Sequence, residues 1–342
     1  MNEQLTGENI KSKRISVLKT YGENLSEKSY ITNPAIGRDE QIKQMILILL
    51  TPDKSCCLVG KPGVGKTATV EGLAYRIQRG EIPDVLKDYR VIKLSTSAMI
   101  GVDPVTGEAK IQILLDELKN ETNLILFIDE VHTLMGDGQA MDFANAFKPA
   151  LDRGDIKVVG ATTSDEFERY ILRDKAFVRR FQKVEIFEPT REENIEILMG
   201  TLPKIEKRTG ARMMYTSFIK SRIMEFITDI TSEYKRIYEI GSRYPDVSLT
   251  IVQQAFSNAL FNNRRDVNIL DVRTAIIGCK HVYPDVIKKA IPEFDKIFAD
   301  QIMEMNMVNQ VTYDRLGNKC LIVSKKSLNL SDSFFLYIIV LC

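Results

Sequence analysis

Eight consecutive residues, Gly60-Lys61-Pro62-Gly63-Val64-Gly65-Lys66-Thr67, match the pattern G-x-x-x-x-G-K-[ST] at every fixed position, and Ala68 follows them. The chemistry such a stretch performs is phosphate binding. Glycines let the backbone curl until successive N–H groups face an anion, and the start of a helix behind them adds its dipole. In this pattern Lys66 reaches the β- and γ-phosphates of a nucleoside triphosphate, and the Thr67 hydroxyl binds Mg2+. A second constellation is Asp129-Glu130, closing the apolar run Leu124-Ile125-Leu126-Phe127-Ile128. Asp129 is placed to hold Mg2+ through water, and Glu130 to orient and polarise an attacking water. Alone, two carboxylates at a strand end are an ordinary exposed edge; downstream of a complete phosphate loop they read as catalytic.

Two further stretches could act on the same phosphate. The apolar run Ile156 to Ala161 ends in Thr162 and Thr163. Thr162, with Thr163 as second choice, is the candidate to touch the γ-phosphate and the attacking water, although a threonine here could instead cap a helix at Ser164-Asp165-Glu166. Arg179-Arg180 precede a short strand expected over Lys183 to Phe187. Phosphoryl transfer is mainly charge stabilisation, and guanidinium groups supplied by a neighbouring subunit are a common source of it.

Positioning these groups requires an α/β fold: a parallel sheet flanked by helices, with ligands at the carboxyl ends of its strands. Strand-like runs precede the phosphate loop and cover Tyr89 to Leu94, Leu124 to Ile128 and Ile156 onward. Helices are expected over Glu40 to Leu50, Thr69 to Gln78 and Lys110 to Lys119, the last with Ile111, Leu114, Leu115 and Leu118 on one face. From Thr190, whose spacing to Glu193 makes a capping box, the pattern is all helical: Ser217 to Tyr234, Ser248 to Asn262, and Ile269 to Cys279 after an Asn268 cap. The expected organisation is a polar lead-in (1–33), a nucleotide-binding α/β domain (34–189), a small helical lid (190–280) and a tail (281–342) with only a hairpin suggested, turning at Leu316-Gly317-Asn318.

Composition narrows the classes. Forty-seven basic residues against forty-six acidic ones, net +1, give no basic field for nucleic acid. Five scattered cysteines without a C-x-x-C pair suit free thiols in a reducing compartment, with Cys56 and Cys57 as small apolar strand residues. A lone His132 offers no metal set. Neither a signal pattern nor a run long enough to cross a bilayer is present, so a cytoplasmic protein is expected.

Leu18 to Lys28, and the box Asn33-Pro34-Ala35-Ile36-Gly37-Arg38-Asp39-Glu40, resemble the segments that open the first ATPase module of the Clp-type AAA+ proteins, where the box reads D-P-V-I-G-R-D-x-E. With the phosphate loop, Phe127 to Glu130, Gly160 to Thr163 and Arg179 to Phe181 in order behind it, residues 18–278, about three quarters of the chain, are similar to that module. The resemblance implies a P-loop AAA+ sheet with a helical lid, ATP and Mg2+ as cofactors, and Ile36 and Gly37 against the adenine. It further implies a sensor at Thr162, arginine fingers at Arg179 and Arg180 donated between subunits, and a ring, expected to be hexameric, that unfolds or remodels proteins, with a protease among the possible partners. The sequence departs from the family in three places. Val105 stands where the pore loop carries a tyrosine, Val247 stands where the lid typically has lysine, and neither a folded amino-terminal domain nor a second phosphate loop is expected from these residues. Val105 keeps open an alternative, a nucleotide-dependent assembly switch on one dedicated protein partner without threading. A DNA-associated loader is disfavoured by the charge balance.

Overall fold

A computed structural model of the chain describes residues 16–96, 101–134, 147, 156–173, 175–237, 244–308, 311–313 and 319–321. The described residues fall into two compact units, one drawn from residues 1–204 and 242–247, the other from 205–241 and 248–342.

The first unit is built on a six-stranded sheet: β1 Gly22–Asn24, β2 Ser55–Val59, β3 Arg90–Leu94, β4 Leu124–Ile128, β5 Ile156–Thr162 and β6 Phe181–Glu185, in the order β1-β3-β4-β5-β2-β6. All neighbours are parallel except β1, which pairs antiparallel with β3. Strands β2, β4 and β5 are buried along their whole lengths, as continuous apolar runs must be when helices cover both faces. Alternate residues feed two separate cores. Cys57, Val59, Leu126 and Ile128 pack with Ile113, Leu114 and Leu118 of the helix Lys110–Leu118. Cys56, Leu58, Ile125 and Phe127 pack with Ile42 and Met45 of the helix Asp39–Leu50 and with Val70 and Leu73 of the helix Lys66–Gln78.

Two elements here differ from the expectation. The last strand starts at Phe181 rather than Lys183, because Phe181 stacks on Phe177 with ring centroids 3.7 Å apart and draws the chain into the sheet directly after Arg180. The polar lead-in supplies two elements that were not anticipated, the helix Val17–Tyr21 and edge strand β1. Glu117 fixes it there by accepting from the Val17 and Leu18 N–H groups at 3.1 and 3.0 Å, a carboxylate at a helix start.

The capping box at Thr190 forms as the spacing predicts: the Thr190 N–H donates to Glu193 at 2.8 Å and the Glu193 N–H to the Thr190 hydroxyl at 3.2 Å, opening the helix Arg191–Thr209. The division between units falls inside that helix rather than at residue 190, one residue past Pro203 in the chain. The second unit contains the helices Ser217–Ile230, Ile269–Ile277, Pro284–Ile297 and Ala299–Val308, together with the length of Asp246–Phe261 from Ser248 onward. Asn268 and Asp271 form the expected reciprocal cap. The unit does not stop near residue 280. Phe294 and Phe298 pack against Phe226 at 5.1 and 6.4 Å between ring centroids, so part of the presumed tail completes the helical core. Val311–Tyr313 and Lys319–Leu321 pair antiparallel, in keeping with the hairpin; its turn, the end of the chain, Arg243 and the Met307 side chain lie outside the described residues. Among the described residues no helix is long and apolar enough to cross a membrane.

Candidate nucleotide site

Strand β2 delivers the phosphate loop to the carboxyl edge of the sheet. A Cβ on Gly60 would lie 2.3 Å from the Ile186 carbonyl oxygen, and Gly63 and Gly65 hold φ of +72° and +98°, so these positions require glycine. Val64 is buried and pins the loop from below, while Lys61, Pro62 and Gly63 stay open to solvent. Gly65 N-caps the helix Lys66–Gln78 without any side-chain cap, leaving the first-turn N–H groups around Lys66, Thr67 and Ala68 to an anion. Lys66 folds back, donating to the Gly60 carbonyl at 2.8 Å and the Lys61 carbonyl at 3.1 Å. Burial pushes its pKa down, against the opposing pull of Asp129, Glu166, Cys57 and Glu130.

The Thr67 hydroxyl donates to Asp129 Oδ2 at 3.1 Å. Two oxygens on adjacent corners of a Mg2+ octahedron stand about 2.9 Å apart, so this pair has the spacing and the hard-oxygen chemistry for that ion. Among the described residues no cluster of three or more His, Cys, Asp or Glu forms a metal cage. Two protein oxygens and no more suit a metal that is otherwise held by phosphates and water. Glu130 directly follows Asp129, just past the end of β4, exposed, at φ +54°, and its carbonyl accepts from the Thr133 N–H and hydroxyl at 3.0 and 2.9 Å.

The two threonines at the end of β5 take different tasks. Thr162 lies opposite Val59 in the sheet, and its carbonyl accepts from the Gly60 N–H at 3.3 Å. Its side chain is only 2% exposed, with the hydroxyl 3.1 Å from Glu166 Oε2 and 3.2 Å from His132 Nδ1. Thr163 is the helix cap: its hydroxyl accepts from the Glu166 N–H, and Glu166 Oε2 accepts from the Thr163 N–H at 2.9 Å. His132, which offers no metal set by sequence, stacks on Tyr170 and stands 3.1 Å from the same carboxylate oxygen. Burial pushes the Glu166 carboxyl up, but the hydrogen bonds from Thr163, the charge of His132 and the Thr162 hydroxyl together hold it below the ordinary range.

At the other flank of the loop, Ile36 packs over Gly200, where a Cβ would fall 2.1 Å from Ile36 Cδ1. Gly37 takes φ +70° beside Glu193. Between them and the loop lies Arg38, 5% exposed, whose Nη2 donates to the Val64 carbonyl at 2.9 Å. Burial lowers its pKa, and Glu193 opposes that shift. Sequence reasoning passed over Arg38 and Glu166. Both had a signal: Arg38 sits in the same box as Ile36 and Gly37, and Glu166 has capping-box spacing to Thr163.

The structure separates Arg179 and Arg180 from this site. They end the helix Lys175–Arg180, immediately before the amino end of β6, and Lys54, ahead of β2, donates to the Arg179 carbonyl at 2.6 Å. Phe181 pairs with Ser55 while Glu185 pairs with Val59, so the arginines stand at the edge of the sheet opposite the phosphate loop. The five residues of β6 put about 16 Å between the two edges. Arg179 is exposed and Arg180 half-buried.

Residues 56–188 match the family model "ATPase family associated with various cellular activities (AAA)". Among curated proteins the chain is 41% identical over 263 residues to the chaperone protein ClpB of Aquifex aeolicus, covering 75% of this chain and 25% of that protein. It is 37% identical to a probable ATP-dependent Clp protease ATP-binding subunit of Chlamydia pneumoniae, covering 74% of this chain and 30% of the relative. Among solved structures it superposes on S. cerevisiae Hsp104 in an extended complex with casein, with a TM-score of 0.64, 30% identity, and coverage of 87% of this chain and 50% of that one. It also matches the S. cerevisiae Hsp104-ADP complex at a TM-score of 0.62. The chain therefore spans 25% and 30% of the lengths of these two curated relatives.

Proposed function

The chain carries a Clp-type AAA+ ATPase module, and from that premise we propose that it binds and hydrolyses ATP as a subunit of a ring, hexameric in number, that unfolds or remodels proteins. The observation that carries the reading is the approach of Thr67 to Asp129 at 3.1 Å beneath the uncapped helix start, with Glu130 the next residue along. Ile36 and Gly37 take the adenine, and residues Gly60 to Ala68 wrap the phosphates, with Lys66 released from its backbone carbonyls to meet them. Thr67 and Asp129 would hold Mg2+, which would neutralise charge on the phosphates. Glu130, exposed at the strand end, orients the attacking water and takes its proton. Thr162 holds Glu166 and the end of β5 in place. Arg179 and Arg180, on the far edge of their own sheet, serve the site of the adjacent subunit. The test combines two measurements on the purified chain. Mass in the presence of ATP is taken on the Glu130→Gln variant, and loss of fluorescence from a tagged folded protein on the unmodified chain. Ring-sized mass and ATP-dependent loss support the proposal; a monomer that hydrolyses ATP at the same specific rate at every dilution refutes it.

One observation favours a second reading. Val105 is 61% exposed on a loop held by the Asp103 carboxylate, which accepts from the Val105 N–H at 2.8 Å and the Thr106 hydroxyl at 3.1 Å. An ordered loop presenting a small aliphatic group grips a moving chain weakly, so the module could act as an assembly switch on one protein partner. Hydrolysis that leaves the folded fluorescent substrate intact would mark that outcome.

A further inference from the structure

Lys93 breaks the apolar run of β3, and the core does not explain it. Its register partner is Phe127, wholly buried on β4, and its ammonium lies 5.7 Å from the centre of that ring. The stem therefore follows an apolar surface while the charged head reaches onward along the same face of the sheet, two residues past Phe127. There Lys93 Nζ stands 3.6 Å from Asp129 Oδ2, the same oxygen that accepts the Thr67 hydroxyl. The two side chains are 28% and 31% exposed, so water screens the pair only in part. Lys66, which also interacts with Asp129, is committed to the Gly60 and Lys61 carbonyls.

A single carboxylate oxygen is thus claimed by an ammonium and by the hydroxyl that would share a metal with it. A divalent cation bound through that oxygen meets a positive charge already in contact with it. We propose that Lys93 is the resident counter-cation of Asp129: it holds the carboxylate while no metal is bound, and by having to yield it sets the divalent-cation concentration at which the site loads. The inference rests on the reading of Thr67 and Asp129 as the metal-binding pair. It makes metal loading, as distinct from nucleotide affinity, the quantity this side chain controls.

The test uses the full chain with saturating ADP, so that no turnover intervenes, and reads bound Mn2+ by electron paramagnetic resonance. Lys93→Met keeps the length and apolar stem without the charge, and Lys93→Gln is the second variant should the first fail to fold. Either is expected to lower the Mn2+ half-saturation by about three- to tenfold, the size of one partly screened charge, while Lys93→Arg stays within about twofold of the unmodified chain. ADP affinity in EDTA, measured on the same samples, reports folding and does not strengthen. An unmoved Mn2+ midpoint in both charge-removing variants overturns the proposal alone. Mn2+ binding that survives Asp129→Asn undiminished overturns the metal-pair reading, and the proposal with it.

Discussion

Arg38 Nη2 donates to the Val64 carbonyl at 2.9 Å, a buried charge-assisted bond that ties the segment before the first long helix to the phosphate loop. The same segment carries Ile36 and Gly37, so one guanidinium couples the expected adenine contacts to the phosphate contacts. Removing it leaves a buried carbonyl unpaired and frees the loop. Arg38→Met is expected to destabilise the chain by about 2 kcal/mol and to weaken ADP binding by about tenfold. Chemical denaturation and calorimetric titration measure the two effects, and a folded variant with unaltered ADP affinity would remove Arg38 from the site.

Among the described residues the Glu130 side chain makes no bond that anchors the loop; it is the backbone carbonyl of this residue that holds Thr133. Glu130→Gln should therefore leave stability and ATP affinity close to those of the unmodified chain while lowering turnover by about a hundredfold or more, the usual worth of a positioned general base. Single-turnover hydrolysis after rapid mixing separates chemistry from binding. Turnover within a few fold of normal would assign the base elsewhere.

Glu166 supplies a pH signature. Its carboxyl is held below the ordinary 4.5 by Thr163, His132 and Thr162 despite burial. A depressed carboxyl contributes stability that is present above the unfolded value and is lost as pH falls through the folded one. The unfolding midpoint of the unmodified chain should exceed that of Glu166→Gln at pH 7, and the gap should close as the solution is acidified below about 4.5. A gap that stays constant down to pH 3 would mean that the carboxylate charge is not what these three groups hold.

How much of this was legible depends on how local each signal is. Gly60 to Thr67 and the run into Asp129-Glu130 are contiguous codes: the residue types dictate a strand, a sharp turn or a strand end without reference to the rest of the chain. The strand β1 was hidden because three polar residues become a strand only when Leu94, Lys93 and Ile92 offer them an edge. The helices after residue 280 were hidden because Phe294 and Phe298 gain their meaning from Phe226, far back in the chain. Thr162 and Thr163 were separable only in three dimensions. Adjacent residues at a strand end point to opposite sides, so one is sequestered against His132 while the other caps a helix. Lys93 could be seen as an oddity in an apolar run, but its partner Asp129 lies just past the end of the next strand in the sheet.

The position of Arg179 and Arg180 leads to the most demanding test. The sheet puts them at the amino end of β6, while Gly60, Asp129 and Thr162 all lie at carboxyl ends, about 16 Å away along the strands. An arginine side chain does not span that distance, so any contribution to hydrolysis must be made to another subunit. Two defective chains should then complement each other. One carries Arg179→Ala with Arg180→Ala and keeps Glu130; the other carries Glu130→Gln and keeps both arginines. Each alone should be nearly inactive with ATP affinity intact. In an equal mixture, random assembly places an intact Glu130 against an intact arginine pair at about a quarter of the interfaces, and hydrolysis should recover to about that fraction of normal. If the arginines acted within their own subunit, every site in the mixture would still lack one component. A mixture as inactive as its parents, in rings shown to exchange subunits, would therefore exclude the arginines from the neighbouring site.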